Sequence, residues 1–278
     1  MTLAGPVLSW GLPRLRDLPW RRTRDPWAVL VSEVMLQQTQ VPRVIPKWHT
    51  FLERFPTTAS CAEATLGDVL RLWQGLGYPR RARNLHATAI EIERLGTFPS
   101  TLDGLLALPG VGAYTARAVL AFAFESDAAV VDTNIARVFA RLEGERLTPK
   151  RVQQSADDAL PAGQAWEWNQ SLMDLGAVLC RPVAPACMEC PLVSACRWRG
   201  AGDDPAVGSA GVSRTQGRFE GSDRQARGRL LKTLAAGRVR MPDVASVMSV
   251  GEERAARLVE SLVADGLIVR VDQTLQLP

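Results

Sequence analysis

The chain has 278 residues and a formal net charge of +4, with 46% hydrophobic and 22% charged residues. This length is sufficient for one large domain or two to three small ones, so core burial is not limiting. The N-terminus lacks the basic segment and apolar run of a signal peptide, and no segment approaches the roughly 18 unbroken apolar residues of a membrane span. We therefore expect a cytoplasmic protein that has no membrane partner.

Apolar residues with helical spacing, interrupted by glycine and proline, dominate the chain up to Trp198. Few segments alternate with a period of two residues, so the sequence predicts an all-α class. Asp25 and Pro26 form a typical helix start, with Asp25 as the N-cap. The predicted helices are Pro26–Gln38, Val44–Phe55, Leu66–Leu76, Arg80–Leu95, Leu102–Leu108, Ala113–Phe124, Asn134–Leu142, Pro149–Leu160 and Trp166–Leu179.

The composition changes after Trp198. Residues 199–223 are rich in glycine, serine and charge and poor in apolar residues, which predicts a flexible linker. Residues 224–278 have the element order of a small winged-helix-like module, a relative of the helix-turn-helix. A packing appendage that touches no nucleic acid is the alternative. The predicted elements are helices Arg224–Ala236, Pro242–Met248 and Glu252–Asp265 and strands Leu267–Val271 and Thr274–Leu277.

Four cysteines, Cys180, Cys187, Cys190 and Cys196, have the spacing C-x6-C-x2-C-x5-C. Such a group in a chain without an export signal indicates a metal site, and disulfides are not expected there. Zinc knuckles usually bring two C-x-x-C pairs, whereas this unequal spacing favours a 4Fe-4S cluster. Zinc, or no metal, remains an alternative.

The segment Leu108–Gly112 separates two predicted helices. Gly110 and Gly112 leave backbone N–H groups uncovered just before a helix N-terminus, which is an arrangement that binds anions such as a DNA phosphate. A simple helix–helix turn is the alternative. Two arginine groups suit phosphate recognition or form a solvated basic face, and they comprise Arg14, Arg16, Arg21, Arg22 and Arg24 in one and Arg80, Arg81 and Arg83 in the other.

Long motifs in a characteristic order resemble those of the MutY-type adenine DNA glycosylases, which belong with endonuclease III to the helix-hairpin-helix superfamily. The resemblance covers roughly residues 15–198. The motifs are SEVMLQQTQV (32–41), GLGY (75–78), RARNLH (81–86), LPGVGAYTA (108–116), VDTNIARV (131–138), NQSLMDLGAVLC (169–180) and the four-cysteine loop.

The resemblance implies a two-lobed glycosylase with double-stranded DNA and a flipped base between the lobes. A six-helix barrel with the helix-hairpin-helix corresponds to residues 26–131. Residues 1–25 and 132–198 form the other lobe, which carries a 4Fe-4S cluster on the four cysteines. The implied substrate is DNA with an adenine paired with 8-oxoguanine or guanine. The implied protein is a bacterial monomer that is associated with the nucleoid when it is bound to DNA.

Hydrolysis of an N-glycosidic bond needs an acid for the leaving base and a carboxylate that faces the cation-like sugar. Glu33 lies in an otherwise apolar helix, where a carboxyl pKa tends to rise, and the resemblance assigns it protonation of adenine and activation of water. Asp132 alone would be a helix N-cap, and the resemblance adds stabilisation of the sugar cation. Bifunctional relatives carry a Schiff-base lysine where this chain has Tyr114, so we expect a monofunctional enzyme.

The resemblance also implies side chains that fill the gap left by a flipped base. Gln38 of the LQQT motif and Tyr78 of the GLGY motif correspond to these wedges, and the neighbouring Gln37 joins them as a DNA contact. Relatives often have a second tyrosine after GLG, where this chain has Pro79.

Four further positions match the surroundings of the site in the family. Asn134, two residues after Asp132, resembles a polar supporting residue near the site. Trp20, Arg21 and Gln170 match positions near the adenine pocket, although Trp20 fits a place in the core equally well.

Residues 199–278 are too short for the NUDIX-like domain that helps larger relatives recognise 8-oxoguanine. Two other functions compete with adenine excision. One is a mismatch glycosylase that removes T or U opposite G. The other is an iron–sulfur DNA-binding regulator, which would need neither Glu33 nor Asp132.

Overall fold

The computed structural model describes residues 3–212 and 217–278, and helices dominate this part of the chain. The all-α prediction is confirmed, with a small sheet near the C-terminus. The α-helices are α1 (Ala4–Gly11), α2 (Pro26–Leu36), α3 (Val41–Arg54), α4 (Thr58–Ala62), α5 (Leu66–Leu72), α6 (Arg80–Leu95), α7 (Leu102–Leu106), α8 (Ala113–Ala123), α9 (Thr133–Glu143), α10 (Pro149–Ala159), α11 (Ala165–Val178), α12 (Asp223–Ala236), α13 (Val244–Met248) and α14 (Glu252–Ala264). The strands are β1 (Val239–Arg240), β2 (Val269–Val271) and β3 (Thr274–Gln276).

Most predicted helices occur close to their predicted bounds, and α6 agrees at both ends. Helix α5 ends four residues earlier than predicted, before Gly75 and Gly77, whose φ angles of 91° and 74° lie in the left-handed region. The sequence prediction missed α1 and α4. Helix α1 has no side-chain cap and no acidic residue in its first turn, so its start carries no signal.

The chain divides into two compact units, and the first comprises residues 3–29, 100–106 and 111–212. Helix α11 forms its centre, because α1, α8 and α9 all pack against it. Trp168, Leu172 and Leu175 of α11 are fully buried. Gly11 of α1 lies so close to Ser171 that an added Cβ would come within 2.4 Å of the serine side chain.

A buried amide holds the extended segment that precedes α9. Asn169 Oδ1 accepts a hydrogen bond from the Val130 N–H (2.9 Å), and its Nδ2 donates to the carbonyl oxygens of Ala128 (3.0 Å) and Ala165 (2.7 Å). All of these groups are buried from water. Asn169 therefore satisfies backbone groups that have no ladder partner and fixes the approach to Asp132.

The second unit comprises residues 30–99, 107–110 and 217–278. Its aromatic core includes Phe51, whose ring makes edge-on contacts with Phe55 and Trp73 at centroid distances of 5.2 and 6.3 Å. Cys61 is fully buried there, and burial raises its thiol pKa to about 12. This cysteine is therefore an inert core residue.

The C-terminal module has the predicted order of three helices and a hairpin, with β1 as an unpredicted third strand. The antiparallel sheet has the order β1-β3-β2, and Val239 of β1 pairs with Leu275 of β3. Leu230, Leu258 and Leu275 are among the residues that build its core. The Gly67 N–H donates to the carbonyl oxygen of Pro278 (3.0 Å), so the chain end lies against the start of α5.

Part of the predicted linker over 199–223 makes tertiary contacts, at residues 204–210, which the sequence did not indicate. Asp204 pairs with the buried Arg141, and the Leu147 N–H donates to Ser209 Oγ (2.9 Å). The Ala210 N–H donates back to the Leu147 carbonyl oxygen (2.9 Å). Residues 213–216 of the predicted linker lie outside the described residues. The predicted lobe boundaries stay a prediction, since the compact units group the chain differently.

No helix in the described ranges is both long and apolar enough to cross a membrane.

Replacing Asn169 with alanine should lower the free energy of unfolding by about 2 to 4 kcal/mol, because the Val130 N–H and two carbonyl oxygens lose their buried partner. Denaturant unfolding of the full chain measures this change. The matched control is Gln154→Ala, since Gln154 is exposed and bonds Asp158 on the same helix. Equal stability of the two variants would contradict the role of Asn169.

Candidate functional site

Asp132 is the N-cap of α9, as its sequence context predicts. Its Oδ1 accepts hydrogen bonds from the backbone N–H groups of Asn134 (2.9 Å) and Ile135 (2.7 Å). Its Oδ2 accepts a hydrogen bond from Asn134 Nδ2 (2.8 Å). Both carboxylate oxygens are therefore fixed in direction by one turn of helix.

A half-buried chain of polar groups continues from this carboxylate. Asn134 Oδ1 accepts a hydrogen bond from Arg137 Nη2 (2.8 Å), which fixes the orientation of the amide. Burial raises the pKa of Asp132, while the hydrogen bonds from Ile135 and Asn134 and the charge of Arg137 oppose that rise. Gly176 packs on Asn134 so closely that an added Cβ would lie 2.7 Å from the asparagine Cβ. Asn134 thus supports Asp132 directly.

Arg21, a predicted pocket residue, forms a buried salt bridge. Its Nη1 and Nη2 donate to the two carboxylate oxygens of Asp174 at 2.7 and 2.9 Å, and Arg16 Nε adds a third bond at 2.6 Å. Burial would raise the pKa of Asp174, but Arg21 and Arg16 hold it below its usual value. Trp20 and Gln170 are also buried in this unit. That Trp20, Arg21 and Gln170 lie near an adenine pocket stays a prediction.

Tyr114 is the second residue of α8 and is half-buried. Gly112 is the N-cap of this helix and exposed, and its carbonyl oxygen accepts the Ala116 N–H (2.9 Å). Gly110 has a φ of 74°, and an added Cβ would lie 2.5 Å from the Asn84 side chain. Glycine is therefore required at position 110 both by conformation and by space.

Glu33 lies on α2 within the second unit and is only 4% exposed. Val34 and Met35 beside it are buried as well, so the carboxyl group sits in the apolar helix that its sequence predicts. The alternative for this position, an exposed glutamate on a helix, is excluded by that burial.

The two predicted wedge residues share an unusual backbone conformation. Gln38 has a φ of 56° and Tyr78 a φ of 48°, and both values lie in the left-handed region that side chains other than glycine rarely adopt. Gln38 is exposed, whereas Gln37 and Tyr78 are half-buried. Such strain persists only where the surroundings determine the conformation.

Arg81 supplies those surroundings, and its role was missed at the sequence level. Its Nη1 donates to the carbonyl oxygens of Val34 (2.7 Å), Met35 (3.0 Å) and Gln37 (2.6 Å). Its Nη2 donates to Thr39 Oγ1 (3.1 Å) and to the Leu76 (3.0 Å) and Gly77 (3.2 Å) carbonyl oxygens.

One guanidinium therefore joins the loop after α2 to the loop before α6. It also lies 5.4 Å from the Tyr78 ring centroid and 5.5 Å from that of Trp73. Burial lowers the pKa of Arg81 to about 10, which leaves it charged at neutral pH. The local sequence carries no signal for this role, because it depends on contacts with two loops that are distant from each other in the chain.

The four motif cysteines line a single cavity together with Arg141, Leu179 and Trp198. In the part of the chain that the structure describes, no three His, Cys, Asp or Glu side chains converge closely enough to hold a single metal ion. Thiolates that share one zinc ion lie within about 4 Å of each other. The shared cavity brings the four thiol groups to one place, as a metal centre with four thiolate ligands requires.

Arg141 holds the cysteine loop from the side of α9. It donates to Cys180 Sγ (3.3 Å) and to the carbonyl oxygens of Cys180 (3.2 Å) and Arg181 (2.8 Å). Asp204 accepts from its Nε (3.1 Å) and Nη2 (2.6 Å), and the guanidinium lies 4.4 Å from the Trp198 ring centroid. The segment predicted as a linker thus completes the cysteine site.

The predicted arginine groups are largely held by partners within the protein. Arg16 and Arg21 bind Asp174, Arg22 pairs with Asp17 and Arg24 pairs with Glu125. In the other group, Arg80 pairs with Asp265, and Arg83 donates to the Asp265 carbonyl oxygen (2.5 Å). These contacts reduce the charge that either group offers to phosphate.

The predicted residues fall into two sets. The first unit contains Trp20, Arg21, Gly112, Tyr114, Asp132, Asn134, Gln170 and the four cysteines, and the second contains Glu33, Gln37, Gln38, Tyr78 and Gly110.

Comparison with known proteins identifies the family. Residues 31–162 match the model of the HhH-GPD superfamily of base excision DNA repair proteins. An adenine DNA glycosylase of Mycolicibacterium smegmatis is 42% identical over 271 residues, which are 94% of this chain and 91% of that protein. The chain belongs to the HhH-GPD superfamily. This membership confirms the resemblance predicted from the motifs.

Further relatives of the superfamily agree with this membership. A human adenine DNA glycosylase is 41% identical over 216 residues, 70% of this chain and 39% of that protein. A thermostable thymine-DNA glycosylase has a similar structure, with a TM-score of 0.67 and 29% identity over 70% of this chain and 94% of that one. A trapped covalent endonuclease III–DNA intermediate gives a TM-score of 0.61 at 25% identity, over 69% and 92% of the two chains.

Arg81→Lys should reduce single-turnover base excision by this superfamily member roughly ten- to a hundredfold, because displacement of positioning loops by about 1 Å has effects of that size. Lysine lacks the planar fork that bonds both loops at once. The matched control is Arg94→Lys on the same helix, where the exposed Arg94 pairs with Glu91 one turn away. A variant at position 81 as active as this control would contradict the role of the guanidinium.

Asp204→Asn should weaken the cysteine site, because the buried Arg141 loses its charge partner. We expect a loss of about 3 kcal/mol in stability and a lower iron and sulfide content of the purified protein. Asp203→Asn is the control, since Asp203 is adjacent and exposed. Equal iron content of the two variants would show that Asp204 does not support the site.

Proposed function

We propose that this protein is a monofunctional adenine DNA glycosylase, which hydrolyses the N-glycosidic bond of adenine paired with 8-oxoguanine or guanine. The observation that carries the proposal is the 42% identity over 94% of the chain to relatives named adenine DNA glycosylase. The burial of Glu33 and the fixed carboxylate of Asp132 support it. Double-stranded DNA with an adenine mispair is the partner, and we propose a monomer that acts on DNA in the nucleoid.

The proposed reaction uses two carboxyl groups in different states. Glu33, protonated in its apolar surroundings, gives its proton to N7 of the flipped adenine, and the bond between the sugar carbon and the base nitrogen breaks. The Asp132 carboxylate faces the cation-like sugar and stabilises it. Glu33 then takes a proton from the water whose oxygen bonds the sugar carbon, which regenerates the acid.

The surroundings of Asp132 suit this role. Three hydrogen bonds leave its two oxygens in a fixed orientation without a mobile counterion. The positive end of α9 and Arg137 favour the ionised form against the effect of burial. A preorganised carboxylate needs little reorganisation when charge develops on the sugar.

We propose that Gln38 and Tyr78 occupy the space of the extruded adenine, with Gln37 as a neighbouring contact. Extrusion costs a few kcal/mol, so side chains with a fixed backbone conformation serve as wedges at low entropic cost. The uncovered amides near Gly110 and Gly112 are proposed to bind a DNA phosphate.

We propose that Cys180, Cys187, Cys190 and Cys196 hold a 4Fe-4S cluster. Bound there, the cluster supplies four iron–thiolate bonds that cross-link the loop. The donor set and the shared cavity support this assignment. Arg141 would then lie beside the cluster and balance thiolate charge.

Single-turnover excision from duplexes that contain A:8-oxoguanine, A:G, T:G or U:G, with and without alkali, tests the function. We expect adenine release from the first two duplexes, with strand cleavage only after alkali. Release only from T:G or U:G would identify the mismatch glycosylase instead. Tight DNA binding without release from any duplex would support the regulator.

Glu33→Gln should abolish adenine release while DNA binding is retained, because glutamine keeps the shape but cannot donate the proton. The measurement combines single-turnover kinetics with a binding titration of the same duplex. The control is Glu53→Gln, which removes an exposed carboxyl group from α3. Near-normal turnover by the position-33 variant would refute the acid role.

Tyr114→Lys should introduce strand nicking, because an amine at this position can form a Schiff base with the sugar aldehyde. Borohydride reduction would trap that adduct covalently on the DNA, and gel electrophoresis detects it. Tyr114→Phe serves as the control and should form no adduct. Absence of an adduct with the lysine variant would count against the position of Tyr114 at the sugar.

A further inference from the structure

The C-terminal module places an arginine on one of the proposed wedge residues. Arg224, the second residue of α12, donates a hydrogen bond from Nη1 to the Tyr78 hydroxyl (3.2 Å). These residues are 146 positions apart in the chain, so the contact depends on how the module packs. Tyr78 therefore lies between two guanidinium groups, since Arg81 is 5.4 Å from its ring centroid.

An exposed aromatic ring lies beside the same arginine. Phe219 is 58% exposed, and the Arg224 guanidinium is 5.9 Å from its ring centroid. Arg224 Nη2 also donates to the Gly217 carbonyl oxygen (2.7 Å), which holds the guanidinium between Phe219 and Tyr78. Aromatic rings and guanidinium planes in such a row are the groups on which unstacked bases stack.

The contact of Arg224 is not needed to attach the module. Asp265 pairs with Arg80 (2.7 Å), and its carbonyl oxygen accepts from Arg83 (2.5 Å). The Pro278 carbonyl oxygen accepts from Gly67 (3.0 Å), where an added Cβ would lie only 2.5 Å from that oxygen. These contacts fix the module on α5 and α6. The hydrogen bond from Arg224 to the Tyr78 hydroxyl therefore calls for another role.

The charge of α12 indicates the kind of partner. The helix carries four basic residues and one acidic residue, and the acidic one, Asp223, is paired with Arg254 (2.7 Å). A basic helix with an adjacent exposed ring suits a polyanion that also presents flat apolar surfaces. DNA has both properties.

We propose that the C-terminal module reads DNA at Tyr78, with Arg224 and Phe219 contacting the base opposite the excised adenine. The inference rests on the proposed function of Tyr78 as a wedge. Arg224 contributes hydrogen-bond donors toward the edge of the opposite base, and Phe219 contributes a stacking face. The module is then a specificity-determining part of the glycosylase.

Binding of the full-length protein to three duplexes tests this role. Each duplex carries a hydrolysis-resistant 2′-fluoro adenosine opposite 8-oxoguanine, guanine or an abasic site. We expect Arg224→Ala to weaken binding about tenfold when a base is opposite, and to leave binding unchanged when the site is abasic. Phe219→Ala should show the same dependence on the opposite base.

Lys232→Ala is the matched control, because it removes one exposed positive charge from the same helix. Arg224→Lys retains the charge without the planar fork, and thermal unfolding verifies that each variant is folded. Weakening by the same factor on all three duplexes, or an effect equal to that of Lys232→Ala, would overturn the proposal. Adenine release by the wild-type protein is measured separately, so its failure would count against the glycosylase assignment and not against this contact.

Discussion

Guanidinium groups that are buried or half-buried hold the loops on which the proposed chemistry depends. Arg81 bonds five carbonyl oxygens at the end of α2 and in the two wedge loops, and Arg141 bonds the cysteine loop from α9. Arg137, one turn earlier, donates to the carbonyl oxygens of Cys180 (2.7 Å) and Gly176 (2.7 Å) and orients Asn134. Loop carbonyls that lack a ladder partner need donors, and arginine brings five of them in one rigid plane.

This arrangement has an energetic cost that the hydrogen bonds offset. Burial lowers the pKa of both Arg81 and Arg137, which shows that the protein interior disfavours their charge. Arg141 differs, because Asp204 and the Cys180 thiol raise its pKa despite burial. The cost of burying the charge of Arg81 and Arg137 is offset where the arginine holds a loop in one conformation. The left-handed backbone of Gln38 and Tyr78 is such a conformation.

The parts that sequence reasoning predicted well have local causes. Helix α6 has clear apolar periodicity between Pro79 and Gly96, and the N-cap role of Asp132 follows from its position before Thr133. The burial of Glu33 follows from the apolar residues on either side of it in α2. The cysteine spacing predicted that the four thiols come together, and all four line one cavity.

The parts that were missed depend on contacts between distant residues. Helix α1 has no capping signal, and its place is determined by Gly11 against Ser171. Residues 204–210 have the composition of a linker, yet the pairing of Asp204 with Arg141 across 63 positions holds them. Strand β1 has two residues and exists only through its pairing with β3. Nothing in the local sequence distinguishes Arg81 from its neighbours Arg80 and Arg83 as the residue that joins two loops.

The central claim is that one half-buried guanidinium, that of Arg81, fixes the conformation of both wedge loops. Hydrogen–deuterium exchange of the full-length wild-type protein and the Arg81→Lys variant measures this most directly. The account predicts faster exchange of the amides of residues 37–39 and 76–78 in the variant, in both loops at once, with α11 unchanged. Unchanged exchange in both loops, or a change confined to one of them, would contradict it.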